Sequence, residues 1–228
     1  MIVTGPLTAQ FIDFDNSVAG RIARVLSERI VSGLLSPGER LMQDHIAKEF
    51  QASHVPVREA FRKLEAQGLV VSKARCGVRV SDLDPAMVRE VTEMRTAMES
   101  LALSHALPRL READLEAARQ ALGEGEASDQ IAVWEAANRR FHLAITAPCA
   151  MPRLMALIGD LNRSDARFLF ATWKQLDWQP RSSAEHRAIL DAITRRDGDG
   201  ARALLEAHVR EAGRALMERL RSTEADAA

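Results

Sequence analysis

The stretch Ser53–Val80, SHVPVREAFRKLEAQGLVVSKARCGVRV, decides how this chain is read. Val57, Ala60, Phe61 and Leu64 recur at the spacing that gathers apolar side chains on one helical face, and Gly68 supplies a stop. Two β-prone runs follow, Leu69-Val70-Val71 and Val78-Arg79-Val80, with Lys73-Ala74-Arg75-Cys76-Gly77 between them. The pattern predicts a helix over 54–67 and a hairpin with a basic tip. Upstream, Val18, Ile22, Val25, Leu26 and Ile30 predict an amphipathic helix over 17–33. Ser36-Pro37-Gly38 reads as a turn, and Ile46, Ala47 and Phe50 mark a short helix over 43–50. A helix, a turn, two short helices and a hairpin are the parts of a winged helix-turn-helix.

In such a module the second short helix enters the major groove and offers its N-terminal residues to base edges. Here those are Ser53, His54, Val55 and Arg58, with Arg62 one turn on. With Val57, Ala60, Phe61 and Leu64 turned inward, Arg58 and Arg62 point outward, where arginine bonds guanine or clamps phosphate. Arg75 and Gly77 fall at the wing tip, where a glycine lets the backbone approach sugar and phosphate. Charge agrees. Ser53–Val80 holds six basic residues against two acids, although the chain's net charge is −1. Residues 1–82 carry eleven Lys/Arg against nine Asp/Glu, and the remainder twenty against twenty-three. A basic cluster of this size is also what a solvated face looks like, so it supports the module without proving it.

Asp82-Leu83-Asp84-Pro85 reads as a linker, with Asp84 as a helix cap and Pro85 at the first helical position. Helices are expected near 85–107, 111–122, 129–147, 151–176, 182–196 and 198–221. Ser182 and Glu185 have capping-box spacing, and Asp197 suits the start of the last helix. The fold expected is mainly α: a winged helix-turn-helix over 1–81 and an all-helical bundle over 82–228. Met151, Met155 and Ile158 read as core. Trp134, Trp173 and Trp178 suit core or interface packing better than a cavity lining. No apolar run approaches bilayer length, no signal peptide is legible, and Cys76 and Cys149 form no CxxC pair. The expected compartment is the cytoplasm, with no membrane partner.

Residues 34–80 resemble the GntR family of bacterial transcription regulators. The likeness rests on Pro37-Gly38-Glu39-Arg40-Leu41, Ile46-Ala47, Pro56-Val57-Arg58-Glu59-Ala60, Leu64-Glu65-Ala66-Gln67-Gly68-Leu69-Val70 and Gly77. The chain departs from it at His54, where relatives commonly have arginine, and at Asp44, often basic in relatives. Histidine is shorter and only partly charged near neutral pH, so a different operator or a weaker phosphate contact follows.

Three histidines of the second half stand out. His142 lies four residues after Asn138, which puts both on one helical face. His186 and His208 lie on later helices, and spacing alone is a weak signal. Residues 85–221 resemble the FCD domain of the FadR-type branch, through Arg95–Glu99, Asn138-Arg139-Arg140-Phe141-His142, Glu185-His186 and His208. That resemblance implies a divalent metal held by His142, His186, His208 and Asn138: zinc first, with nickel or manganese as alternatives. Asn138 stands where many relatives have aspartate. Four neutral ligands leave the ion's charge uncompensated, which weakens metal binding and strengthens attraction for an anion. Arg95 is then the candidate second contact for a carboxylate effector, against the alternative of an ion pair with Glu99 four residues on.

The function expected is a homodimeric regulator of double-stranded operator DNA, a repressor by default, controlled by a small carboxylate bound at the metal. Two other readings stay open. One is a metal-free regulator that binds an acyl or other apolar ligand. The other is a metal-dependent hydrolase, disfavoured because no HExxH, Ser-His-Asp or Cys-His pattern is legible.

Overall fold

The computed structural model describes residues 16–73, 77–172 and 179–226. Helix α1 (Val18–Val31) opens where the Ser17 side chain accepts from the Gly20 backbone N–H at 3.0 Å. Its buried Ile22, Leu26 and Ile30 lie a turn apart, and Gly33, at φ +76°, turns the chain away. Then come β1 (Arg40–Leu41), α2 (Gln43–Glu49), α3 (His54–Ala66), β2 (Val70–Lys73) and β3 (Gly77–Val80). Helix α3 ends as its sequence predicts. Gly68 is left-handed at φ +68°, and the Leu69 N–H bonds back to the Leu64 carbonyl at 3.0 Å.

The sheet is antiparallel in the order β1-β3-β2. Val70 pairs with Val80, and Arg40 and Leu41 pair with Arg79 and Val78. The hairpin was legible; β1 was not, because two residues after a turn carry no periodicity. One core, built on Ile22, Leu26, Ile30, Val57, Phe61 and Leu64, joins α1 and α3 to the sheet through Leu41, Leu69 and Val80. These parts make the winged helix-turn-helix.

The rest is all helical: α4 (Pro85–Ala106), α5 (Glu112–Glu126), α6 (Ile131–Thr146), α7 (Pro152–Thr172), α8 (Gln179–Thr194) and α9 (Gly198–Asp226), with single turns at Leu107–Arg109 and Ala147–Cys149. Two caps fall where the sequence puts them. Asp84 accepts from the Ala86 N–H at 2.8 Å with Pro85 in the first turn, and Asp197 accepts from the Gly200 N–H at 2.9 Å. The expected cap at Ser182 is not one. Helix α8 begins three residues earlier, so Ser182 lies inside it and fully buried. Its hydroxyl has no hydrogen-bond partner among the described residues, and the Glu185 carboxylate is engaged by Arg181 and His208. Met151, Met155 and Ile158 pack into the core with Ala102, Ala106 and Leu154. Trp134 is buried; Trp173, Trp178 and Arg75 lie outside the described residues. No helix here is long and apolar enough to cross a membrane.

Helix α4 lies against α6, α7 and α9. It meets α9 closely at Gly213, where an added Cβ would fall 2.0 Å from Thr92 Oγ1 and 2.5 Å from its Cγ2. Helix α7 touches the head as well. The Ser164 hydroxyl donates to the Gln67 carbonyl at 3.2 Å, and Arg167 Nη2 donates to the Asp82 carbonyl at 2.8 Å. Gly213→Ala should therefore lower stability by about 1–3 kcal/mol, despite alanine's better helix propensity, because it wedges α9 off α4. Thermal unfolding checks this, and adding Thr92→Ala should recover part of the loss.

Candidate functional site: a nucleic-acid face and a buried three-histidine centre

On the head, Ser53 precedes α3 and His54 opens it. Val57, Ala60, Phe61 and Leu64 face the core, which leaves Val55, Arg58 and Arg62 exposed on the outer face. Between α3 and the sheet runs an open groove of ≈ 450 Å³, lined by Arg58, Arg62 and Gly77 and also by Arg40. The sequence did not single out Arg40. It reaches the groove only because β1 pairs with β3. Gly77, at φ +80°, passes beneath it, and a Cβ there would sit 3.6 Å from Arg40 Nε. Arg79, counted in the basic cluster, is spent internally: its Nη1 holds the Gly38 carbonyl at 2.8 Å. His54 Nε2 lies 3.6 Å from Asp44 Oδ1, so the two departures from the family pattern stand beside each other at the tip of α3.

In the helical bundle, His142 on α6, His186 on α8 and His208 on α9 meet. Each offers a ring nitrogen within 4.8 Å of the others, and all three are buried. Every ring is oriented by a neighbour. Glu99 of α4 takes His142 Nδ1 at 2.8 Å, Glu185 takes His208 Nδ1 at 2.8 Å, and Phe141 stacks on His186 at 4.2 Å between centroids. Holding Nδ1 on a carboxylate turns Nε2 inward as a lone pair, the arrangement of metal-binding histidines. His142 Nε2 has no hydrogen-bond partner among the described residues, and His186 Nε2 faces His208 Nε2 at 3.1 Å. Burial holds the His186 imidazole well below its usual range and lowers His208 too, which keeps both in the neutral, ligating form.

Asn138, one turn before His142, borders the same space as His142, His208 and Arg95, and its Oδ1 is buried without a hydrogen-bond donor among the described residues. An orphaned amide oxygen and an orphaned imidazole nitrogen beside two facing imidazoles fit a cation, and zinc accepts the three imidazoles of this set. Arg95 lies beside the centre in a buried ionic network. Its Nε bonds Glu99 Oε1 at 2.9 Å, and its Nη1 bonds Asp165 of α7. The ion pair with Glu99 is thus present. Burial pushes the Glu99 carboxyl up, but Arg95 and His142 together outweigh it and hold the group at about 2. Asp165 moves the other way, raised by burial despite Arg95.

The structure brings Asn138, His142, His186, His208 and Arg95 into one neighbourhood. It places Ser53, His54, Arg58, Arg62 and Gly77 around the other face, with Arg75 outside the described residues. Asp165 and Arg40 are participants that sequence reasoning missed, as is Glu135, which pairs with Arg139 and borders a space shared with Arg95, Asn138 and His142. The two acids lie on helices whose packing no spacing rule gives.

A winged helix-turn-helix with an arginine-lined groove, joined to a helical bundle, defines a DNA-binding regulator with a second, helical domain. A model of bacterial regulatory proteins of the gntR family matches residues 18–80, and an FCD domain model matches residues 90–211. The chain belongs to the GntR family of bacterial transcription regulators and carries a C-terminal FCD domain. The galactonate operon transcriptional repressor of Escherichia coli (strain K12) is 28% identical over 203 residues, 79% of this chain and 89% of that protein. The Nta operon transcriptional regulator of Aminobacter aminovorans is 26% identical over 195 residues, 84% of this chain and 90% of that one. In fold, E. coli McbR/YncC aligns at a TM-score of 0.76 and 22% identity, over 90% of this chain and all of that one.

Glu135 of α6 supplies a test of the buried network. Burial pushes its carboxyl up to about 7, against the pull of Arg139 and Arg95 and with the push of Asp165. A carboxyl raised in the folded state favours folding while protonated, and that advantage is lost as pH rises from the unfolded value toward 7. Glu135→Gln should therefore gain melting temperature relative to wild type as pH is raised from 5 to 8. A difference independent of pH would show that the group ionises freely in the fold.

Proposed function

We propose that this chain is a homodimeric repressor acting in the cytoplasm. Its head, residues 1–81, binds double-stranded operator DNA, and its helical domain, residues 82–228, holds a divalent metal and a small carboxylate effector. One observation carries the reading: His142 Nε2 and Asn138 Oδ1 are buried without hydrogen-bond partners among the described residues, beside the facing Nε2 atoms of His186 and His208. The three imidazoles would hold the ion, zinc before nickel or manganese, with the Asn138 amide oxygen as a fourth, weaker ligand. The ion, when bound, would offer open coordination positions to an anion.

The surrounding residues supply the rest. Glu99 and Glu185 keep two imidazoles in their ligating orientation. Arg95 reaches the effector by exchanging its Asp165 partner for the effector's carboxylate, a swap that Asp165 favours because burial already raises its pKa. A relative named for a galactonate operon, and thus for a sugar acid, fits a carboxylate signal. At the DNA, Ser53, His54, Arg58 and Arg62 read the groove while Arg75 and Gly77 hold the backbone. Two heads on a dimer meet successive major grooves of a palindromic site.

Purified protein should carry one zinc per chain. Chelation should lower its melting temperature, and His142→Ala should lose the metal. A metal-free native protein whose stability ignores chelators would overturn the reading. On an operator selected from random duplexes by the wild-type protein, Arg58→Ala should lose about 1–3 kcal/mol of affinity while remaining folded. Unchanged affinity would show that α3 does not enter the groove.

A further inference from the structure

A cavity of ≈ 60 Å³ lies between the two halves of the molecule. Ser27 and Val31 of α1 form one wall, and Met155, Ile158 and Asn162 of α7 form another. His142 closes the end toward the histidine centre and also borders the spaces that hold Asn138 and Arg95. Apolar surface predominates in the walls, yet the buried Oδ1 of Asn162 has no hydrogen-bond donor among the described residues. Glu28 of α1 also lines the space, against two cations, Arg139 and Arg163. The space is small, so an occupant fits only if its head group passes His142 into the adjoining spaces bordered by Asn138 and Arg95, which suits a short chain rather than a fatty tail.

We propose that α1 of the DNA-binding head is a wall of the effector site, and that the site takes a short aliphatic carboxylate bearing a hydroxyl. The carboxylate lies at the His142 end. The chain packs on Val31 and Ile158, and the hydroxyl donates to Asn162 Oδ1, satisfying a group otherwise buried at a cost. The inference rests on the effector reading above and adds a direct route to the DNA. A ligand held partly by α1 favours the arrangement of head and bundle that closes the cavity, so operator affinity and ligand affinity are linked without a relay.

Amide hydrogen exchange of the full-length, zinc-treated protein, with 3-hydroxybutanoate as probe, tests this. Exchange in α1 should slow about tenfold at ten times the dissociation constant, with parallel slowing in α7. Val31→Trp fills the cavity from the head. Gly159→Leu fills it from α7, where an added Cβ meets only Arg163 Nη1 at 3.7 Å. Either should abolish the slowing while leaving zinc content unchanged, and the second keeps the test sound if the first fails to fold. Asn162→Leu should bring 3-hydroxybutanoate down to the affinity of butanoate. Protection confined to α4, α6, α8 and α9 would overturn the proposal, as would zinc-loaded protein that binds neither acid. Protection of α1 in protein that holds no zinc would support it and sink the metal reading instead.

Discussion

Glu99 has no exposed surface and bonds Arg95 through one oxygen and His142 through the other. A carboxylate at that depth persists only when both oxygens are paired, and removing either partner from such a pair typically costs about 3–5 kcal/mol. Glu99 therefore ties three helices: its own α4, α6 through His142, and α7 through Arg95 and Asp165. It also decides how His142 presents itself. With Nδ1 held, Nε2 faces the interior, and the space where His186 and His208 meet becomes a place for a cation.

The charge problem posed by Asn138 changes in this light. Four neutral ligands would leave a divalent ion uncompensated, but two carboxylates stand one bond behind the imidazoles, Glu99 on His142 and Glu185 on His208. Arg95 offsets part of the first and Arg181 part of the second. Negative charge missing from the ligand set is thus supplied through the rings, at longer range. A bound ion would then keep some attraction for an anion without the full cost of a naked dication.

Much of this was legible in the sequence, and what was missed has a physical pattern. Helix α3 and its end were readable because periodicity and Gly68 act locally, and the caps at Asp84 and Asp197 were readable for the same reason. The three histidines were readable as candidates, but that they share one space depends on how α6, α8 and α9 pack. Asp165, seventy residues from Arg95, gives no sign at all. Arg40 shows the same limit in the head, since its place beside Arg58 follows from a two-residue pairing with β3. Ser182 failed in the other direction. A local capping pattern was overridden because α8 begins at Gln179, and Glu185 bonds His208 instead.

One turn of α7 connects what the two halves do. Asp165 holds Arg95 beside the histidine centre. Ser164, its neighbour, holds the carbonyl of Gln67, the residue that ends the recognition helix α3. Two residues on, Arg167 holds the linker carbonyl of Asp82. Arg167 is costly to keep there. Burial pulls its guanidinium down to about 10, and its Nε and Nη1 have no hydrogen-bond partner among the described residues. A half-satisfied buried cation forms a weak tie, since any movement that hydrates it recovers solvation. Whatever takes Asp165 from Arg95 frees the same helical turn that fixes the end of α3 and the linker. Contacts between head and bundle thus sit on the same turn of α7 as the Arg95–Asp165 ion pair, so a small displacement there would shift how the head is held.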